Sequence, residues 1–309
     1  METVSFSQTN VQILEDVYYQ VCEFMKVFNP IFRHDQLGKR RQRPFCSMSI
    51  EEIMTILISY QIIGAQSFKQ FYKDIILQFH KKEFPNYVSY SRFVSVSSIA
   101  LIPLCCFLKF RMEMSEKTQL YVVDSTVLRV CENPRIPRHR TFDGWAQRGK
   151  TGRGWFYGFK LHLIINHLGE LMSFTISPGN LDDRKGLKKM LHELKGKLLG
   201  DKGYLSQELF SQLFSKGLEL ITPVRKNMKP KACSLVNKLL LRKRSVIETV
   251  NDLLKNFFQI EHSRHRSWSG FMINVLNSLI AYSFYPPKPH MRGVDIKEYQ
   301  IMMLSMENS

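Results

Sequence analysis

The sequence predicts a mixed α/β protein in two parts, an all-helical N-terminal segment followed by a domain whose mixed sheet is flanked by helices. Three observations predict it. Apolar residues recur at helical spacing through the first third of the chain, short β-branched segments begin abruptly at Leu120, and helices and strands alternate from Arg184 onward. At 309 residues the chain can bury one large core and a smaller one.

The helical part builds up in order. From Val11 to Phe28 the residues Ile13, Leu14, Val17, Val21, Phe24, Val27 and Phe28 mark one helix face, and Pro30 is expected to end that helix. Ser49 with Glu52 three residues later is a capping box, opening a second helix that should stop at Gly64. Phe68 to Phe79 and Ser91 to Phe110 continue in the same style. Residues 1–115 therefore read as a helical DNA-binding or dimerisation domain, punctuated by the basic run GKRRQR at 38–43.

The second part, 116–285, begins with LYVVDST, a buried strand that ends on an aspartate. WFYGFKLHLIIN (155–166) and ELMSFTISP (170–178) read as a hairpin about His167-Leu168-Gly169. A helix from Arg184 to Leu194, a strand KLLGD (197–201), a helix from Ser206 to Phe214, a strand LELITP (218–223) and a long helix from Cys233 to Phe258 follow. Three sequential strands, then alternating helices and strands, fit a ribonuclease H-like mixed sheet flanked by helices. The tail 286–309 opens with prolines that cannot continue a helix and is expected to wrap the surface or lie loose.

Charge narrows the partner. Lys and Arg number 44 against 27 Asp and Glu, a formal charge of +17, which favours a polyanion: nucleic acid first, an anionic membrane surface second. Apolar residues at 44% make this a folded body and exclude a disordered basic tail. The six cysteines contain no CxxC pair, and the start METVSFSQTN carries no signal peptide, so a reducing, cytoplasmic setting is expected. The longest apolar stretch, Ile99 to Leu108, contains Pro103 and is shorter than the roughly 20 residues of a membrane span. No membrane partner is expected.

Three acidic residues then suggest chemistry. Phosphodiester cleavage by two divalent ions needs carboxylates converging on a pair of hard cations. Asp124 ends an apolar strand, where a charge is costly unless it faces a site. Asp201 ends a second apolar strand in the same setting, although alone it would read as an Asp-x-Gly turn. In the final helix Leu239, Val246, Val250, Leu253 and Phe257 form an apolar stripe, with Arg244, Glu248 and Lys255 opposite on one polar face. Asp252, one turn beyond Glu248, is the alternative third ligand. With the first strand central and the fourth beside it, Asp124, Asp201 and Glu248 would converge.

With these residues in place, the chain resembles the DDE transposases of bacterial insertion sequences over roughly residues 118–285. The aspartates in YVVDST and LLGDKGYLS and the glutamate in RSVIETVNDLLK fall at that family's D, D and E positions in order. Arg244, Glu248 and Lys255 match the tail of its Y-x2-R-x3-E-x6-K signature, with leucine at 241 in place of tyrosine. RGWFYGFKLHLIIN, SPGNLDDR and HSRHRS are similar to the insertion-sequence 982 family. The resemblance implies two Mg2+ or Mn2+ ions, with Asp124, Asp201 and Glu248 as both catalytic residues and metal ligands. It also implies double-stranded DNA (element ends and target) as partner, a homodimer in the DNA complex, and a nucleoid-associated place in the cytoplasm.

The basic residues support a DNA partner. The segments 135–162 and 222–268 carry local net charges of +6 and +8, most of the total, around the proposed site. Arg148, Lys150, Arg153, Lys160, Lys202, Arg244, Lys255, Arg264 and Arg266 are the expected phosphate contacts, and Trp145 a stacking platform for a splayed base. Trp155, opening a strand, is expected in the core, as is His162. Asp182 and Asp183 are expected to be helix N-caps. His262 and His265, beside arginines, read as DNA contacts, and no His/Cys spacing suggests zinc. Rival readings are a nuclease or resolvase of the same fold without strand transfer, and a catalytically silent DNA-binding derivative.

Overall fold

A computed structural model describes residues 2–36, 47–65, 67–152, 154–191, 194–223, 234–261 and 265–293, with side chains in the first helix from residue 11 to 30. The run 38–43, Arg153, His262 and Arg264 lie outside the described residues. The chain divides into two compact units, one of Met1–Arg111 with Leu254–Tyr285, the other of Met112–Leu253 with Pro286–Ser309. The division differs from a domain running 116–285: residues 254–285 cluster with the helical unit.

In the helical unit, α1 spans Glu2–Gln36 and α2 Ile50–Ile63. Pro30 does not end α1 but lies inside it. Leu14, Val17, Val21, Phe24 and Met25 are buried, and their packing outweighs the one backbone hydrogen bond that the proline removes. Val27, expected on this face, is exposed. The Ser49–Glu52 capping box forms, and Gly64 closes α2 at φ 69°, in the left-handed region that favours glycine. Next come α3 (Phe68–Gln70), a π-helical turn (Phe71–Ile76) and α4 (Leu77–Phe79). Helices α5 (Tyr90–Val96) and α6 (Leu101–Glu113), joined by a 3-10 turn, make a run of 24 residues. By length and composition this run could cross a membrane, which the shorter stretch Ile99 to Leu108 did not suggest. Phe93, Leu104, Phe107 and Leu108 within it are buried in the protein.

The other unit is organised by its sheet. The strands are β1 (Leu120–Cys131), β2 (Gln147–Thr151), β3 (Gly154–Asn166), β4 (Leu171–Pro178), β5 (Gly196–Leu199) and β6 (Leu218–Ile221). Both β1 and β4 pair antiparallel with β3, while β5 runs parallel to β1 and β6 parallel to β5. Setting β2 aside, the order is third, second, first, fourth, fifth: the ribonuclease H-like mixed sheet expected. The polar hairpin strand β2 pairs with the start of β3. QRGKT lacks the apolar alternation by which a strand is recognised.

Side chains alternate between the two faces of the sheet. Tyr121, Val123 and Ile164 face one way, and are covered by Leu187 of α7 (Asp183–Lys188), Met190, Leu194, and Leu209 and Leu213 of α8 (Gln207–Phe214). The expected helix from Arg184 to Leu194 is thus shorter and starts at Asp183. The long final helix is broken: α9 spans Leu235–Lys243 and α10 Val246–Asp252, with a π-helical turn over Leu253–Phe257. At the break Arg244 N–H donates to Leu241 and Glu248 N–H to Ser245, three residues back, which tightens the turn. The buried face of α10 is Val246, Ile247, Val250 and Asn251, and it packs on β1. Leu239 and Phe257, expected on an unbroken stripe, are exposed. The tail at Pro286–Gly293 rests on the sheet unit, where Met291 is buried and its N–H donates to the His167 carbonyl at 2.9 Å.

Helix α11 (Trp268–Phe284), which the sequence reading did not assign, belongs to the helical unit. Nearly every residue from Phe271 to Tyr282 is buried, so its apolar surface has no single stripe. Gln61 of α2 donates to Asn274 of α11 at 2.7 Å in that core.

One close approach is testable. A Cβ on Gly186 of α7 would come within 2.5 Å of the His162 ring. Gly186→Ala should destabilise the protein by about 1–3 kcal/mol through overpacking. A urea unfolding curve checks this, and an unchanged midpoint would contradict the packing.

Candidate active site

Four apolar residues, Leu120 to Val123, anchor β1 in the core, so the fifth position is fixed in space before its chemistry is considered. Alternation turns Asp124 to the face on which α10 packs. Burial pushes its carboxyl up to about 6; the Ser125 backbone N–H and Arg244 oppose that shift, while Asp201 and Glu248 add to it. Asn251 Nδ2 donates to Asp124 Oδ2 at 3.1 Å.

Register places the second aspartate. Val122 pairs with Leu199 in the parallel β1–β5 ladder; two residues on stand Asp124, inside β1 and not at its end as expected, and Asp201, just past the end of β5. Asp201 is exposed and opens the 3-10 turn Lys202–Tyr204. The turn expected from the sequence is therefore present, but it begins level with Asp124. Tyr204 closes it, fully in the core.

Glu248 stands in α10, exposed, and is held by Arg244 at 3.0 Å. The charges acting on Asp124 are those of Arg244, Asp201 and Glu248. Asp252 is exposed on the same short helix. Lys255 does not extend the polar stripe: it falls in the π-helical turn and pairs with Glu261 at 3.1 Å. A π-helical turn adds a residue per turn, which breaks the spacing on which that stripe relied.

Behind the strand, on the other face of the sheet, lies a polar group that sequence reading missed. Asp182 caps α7, accepting from the Arg184 N–H, but Asp183 is no cap. It accepts from Ser125 Oγ at 3.0 Å and Lys160 Nζ at 2.9 Å. Lys160 also donates to the Leu181 carbonyl and is largely buried, so it braces this face and is not the phosphate contact expected. His162 is fully buried against Ser177 Oγ at 2.7 Å, and burial lowers it to about 4, which keeps it neutral as a structural residue. The signal available in sequence was the alternation of Lys160 and His162 with apolar neighbours, which puts both on one face.

Other expected contacts divide. Lys202 and Arg266 are exposed, as is Arg148, which lines a cavity of about 430 Å³ with Asn133, Ile136, Pro137 and Tyr157. Trp145 is 57% exposed. So is Trp155, contrary to the core position expected: it stands at the start of β3 with Lys150 Nζ 5.6 Å from its ring centroid.

The donor set fits hard divalent cations. Hard carboxylate oxygens come from β1, the turn after β5 and α10; burial first, and then the charges of Asp201 and Glu248, push the Asp124 carboxyl towards protonation, a cost that a cation relieves. Among the described residues no three His, Cys, Asp or Glu stand together closely enough to hold a metal ion, Asp124, Asp201 and Glu248 included. Mg2+ is commonly held by one or two carboxylates plus substrate phosphate oxygens, so an open site of this kind suits it.

Residues 114–268 match the family described as "Transposase DDE domain". Among solved structures, one described as a cryo-EM structure of the piggyBac transposase synaptic complex with hairpin DNA is similar, at 10% identity and a TM-score of 0.46, over 96% of this chain and 78% of that chain. No curated protein matches the sequence.

The buried carboxyl sets a pH dependence. A folded-state value of about 6, above the ordinary 3.8, means that the native chain binds more protons than the unfolded one between those values. The associated stability is present below pH 4 and lost as pH rises through 6. With chelator present, Asp124→Asn should raise stability at pH 8 by on the order of 2 kcal/mol, and the gain should vanish near pH 4. Urea titrations at the two pH values check it; equal gains at both would contradict it.

Proposed function

The chain belongs to the DDE-domain transposase family, and on that premise we propose that it cuts and joins DNA at the ends of a mobile element. The observation that supports the reading is that Asp201, from the turn after β5, and Glu248, from α10, both act electrostatically on the buried Asp124 of β1. These three side chains are the proposed holders of two Mg2+ or Mn2+ ions. When bound, such ions activate the attacking oxygen and stabilise the leaving one.

The protein's own residues supply the rest. Arg244, paired with Glu248 at 3.0 Å, would orient that exposed carboxylate. Lys202, beside Asp201, along with Arg148 and Lys150, would hold phosphates against the repulsion of the carboxylates. Trp145 and Trp155 offer exposed rings on which a splayed base can stack. Water first cleaves the phosphodiester at the element's end, leaving a 3′ hydroxyl; that hydroxyl then displaces a 3′ oxygen in target DNA, joining the strands. Terminal inverted repeats of an insertion sequence, two of them paired by a homodimer in the cytoplasm, are the substrate we propose. The resemblance of GWFYGFKLH and HSRHRS to the insertion-sequence 982 family supports that choice.

A strand-transfer assay with a pre-cut end and a plasmid target tests the reading. The wild type should join the end to the plasmid with Mg2+ or Mn2+. Asp124→Asn, Asp201→Asn and Glu248→Gln should each lower joining at least a hundredfold while retaining DNA binding, and Asp252→Asn should leave it largely intact. Hydrolysis without joining would replace this reading with a nuclease, and loss of joining in Asp252→Asn alone would replace Glu248.

A further inference from the structure

The packing face of α10 is apolar at Val246, Ile247 and Val250, and then carries an amide at Asn251. That side chain is 8% exposed. Its Nδ2 donates to Asp124 Oδ2 at 3.1 Å, while its Oδ1 is buried with no hydrogen-bond partner among the described residues. An unsatisfied buried amide oxygen costs about 1–3 kcal/mol, and packing alone would be served better by leucine or valine. The cost is understandable if the amide is kept for the bond it makes.

We propose that Asn251 is a positioning residue of the metal centre, holding the Asp124 carboxylate in a fixed orientation and tying the helix that carries Glu248 to the strand that carries Asp124. The chemistry favours an amide for this task. A neutral N–H fixes one carboxylate oxygen without cancelling the charge a divalent ion needs; a lysine or arginine at 251 would compete with the ion. The bond also spans the two elements whose carboxylates must stay in register, since Asn251 is three residues from Glu248 on a helix only seven residues long. Partners of this kind, bonded to metal ligands, are worth about 10–100-fold in metal affinity. The inference rests on the assignment of Asp124 as a metal ligand.

Mn2+ alone is the probe, with free ion counted by electron paramagnetic resonance in the absence of DNA. Asn251→Ala and Asn251→Ser, the second keeping a polar group too short to reach Asp124, should each weaken Mn2+ binding about tenfold or more. Their effect on metal-free thermal unfolding should not track that loss. In an Asp124→Asn background the same substitutions should cost little further affinity, because the residue acts through Asp124. Wild-type Mn2+ affinity in both variants, or an undiminished loss in the Asp124→Asn background, overturns the proposal. If the wild type and Asp124→Asn bind Mn2+ alike, the metal assignment itself falls, and this inference with it.

Discussion

A carboxylate beneath a helix, at the middle of a sheet, is expensive to bury, and Asp124 is held there by everything around it. Leu120 to Val123 fix β1 in the core, α10 closes over the face to which Asp124 points, and the parallel pairing with β5 sets Asp201 level with it. Burial lifts its carboxyl to about 6, with two more carboxylates adding to the shift. Such an arrangement disfavours the charged form in the protein alone and favours it when a cation arrives.

The sheet separates two kinds of polar chemistry by its faces. Asp124 looks towards α10, Arg244 and Glu248, a side where carboxylates outnumber the cation paired with them. Ser125, the next residue, looks the other way, into Asp183, Lys160 and His162, where charges are matched and the histidine is neutral. Period-two alternation allows a single strand to serve both: one face is braced while the opposite face keeps an uncompensated charge. Lys160, basic and near the site, is taken up in the bracing, so proximity in sequence to the carboxylates does not make a side chain a DNA contact.

Much of this was legible in the sequence because local signals and the fold agree. The strand opening at Leu120, the hairpin about Gly169 and the Ser49–Glu52 cap each carry their own pattern, and together they give the strand order; that β1 runs on past Asp124 to Cys131 did not show, because the residues after Asp124 lose the apolar run. What was not legible depended on tertiary packing. Pro30 sits inside α1 because the packed face outweighs one lost hydrogen bond. The break at Arg244–Ser245 and the π-helical turn after Asp252 leave no mark in a helical repeat, so the stripe from Arg244 to Lys255 was drawn too long. Helix α11 is buried nearly all round and shows no stripe; Trp155, apolar and opening a strand, is nonetheless exposed beside Lys150. Asn251 would pass for a solvated helical residue until its bond to Asp124 is seen.

The central claim, that Asp124, Asp201 and Glu248 jointly hold divalent ions, is tested most directly by anomalous diffraction from crystals grown with Mn2+ and a DNA end. Two manganese peaks are expected beside Asp124, past the end of β5, with Asp124 bonded to at least one and Asp201 and Glu248 completing the protein ligands. Manganese bound elsewhere, or at this end with Glu248 turned away and another side chain in its place, would contradict it.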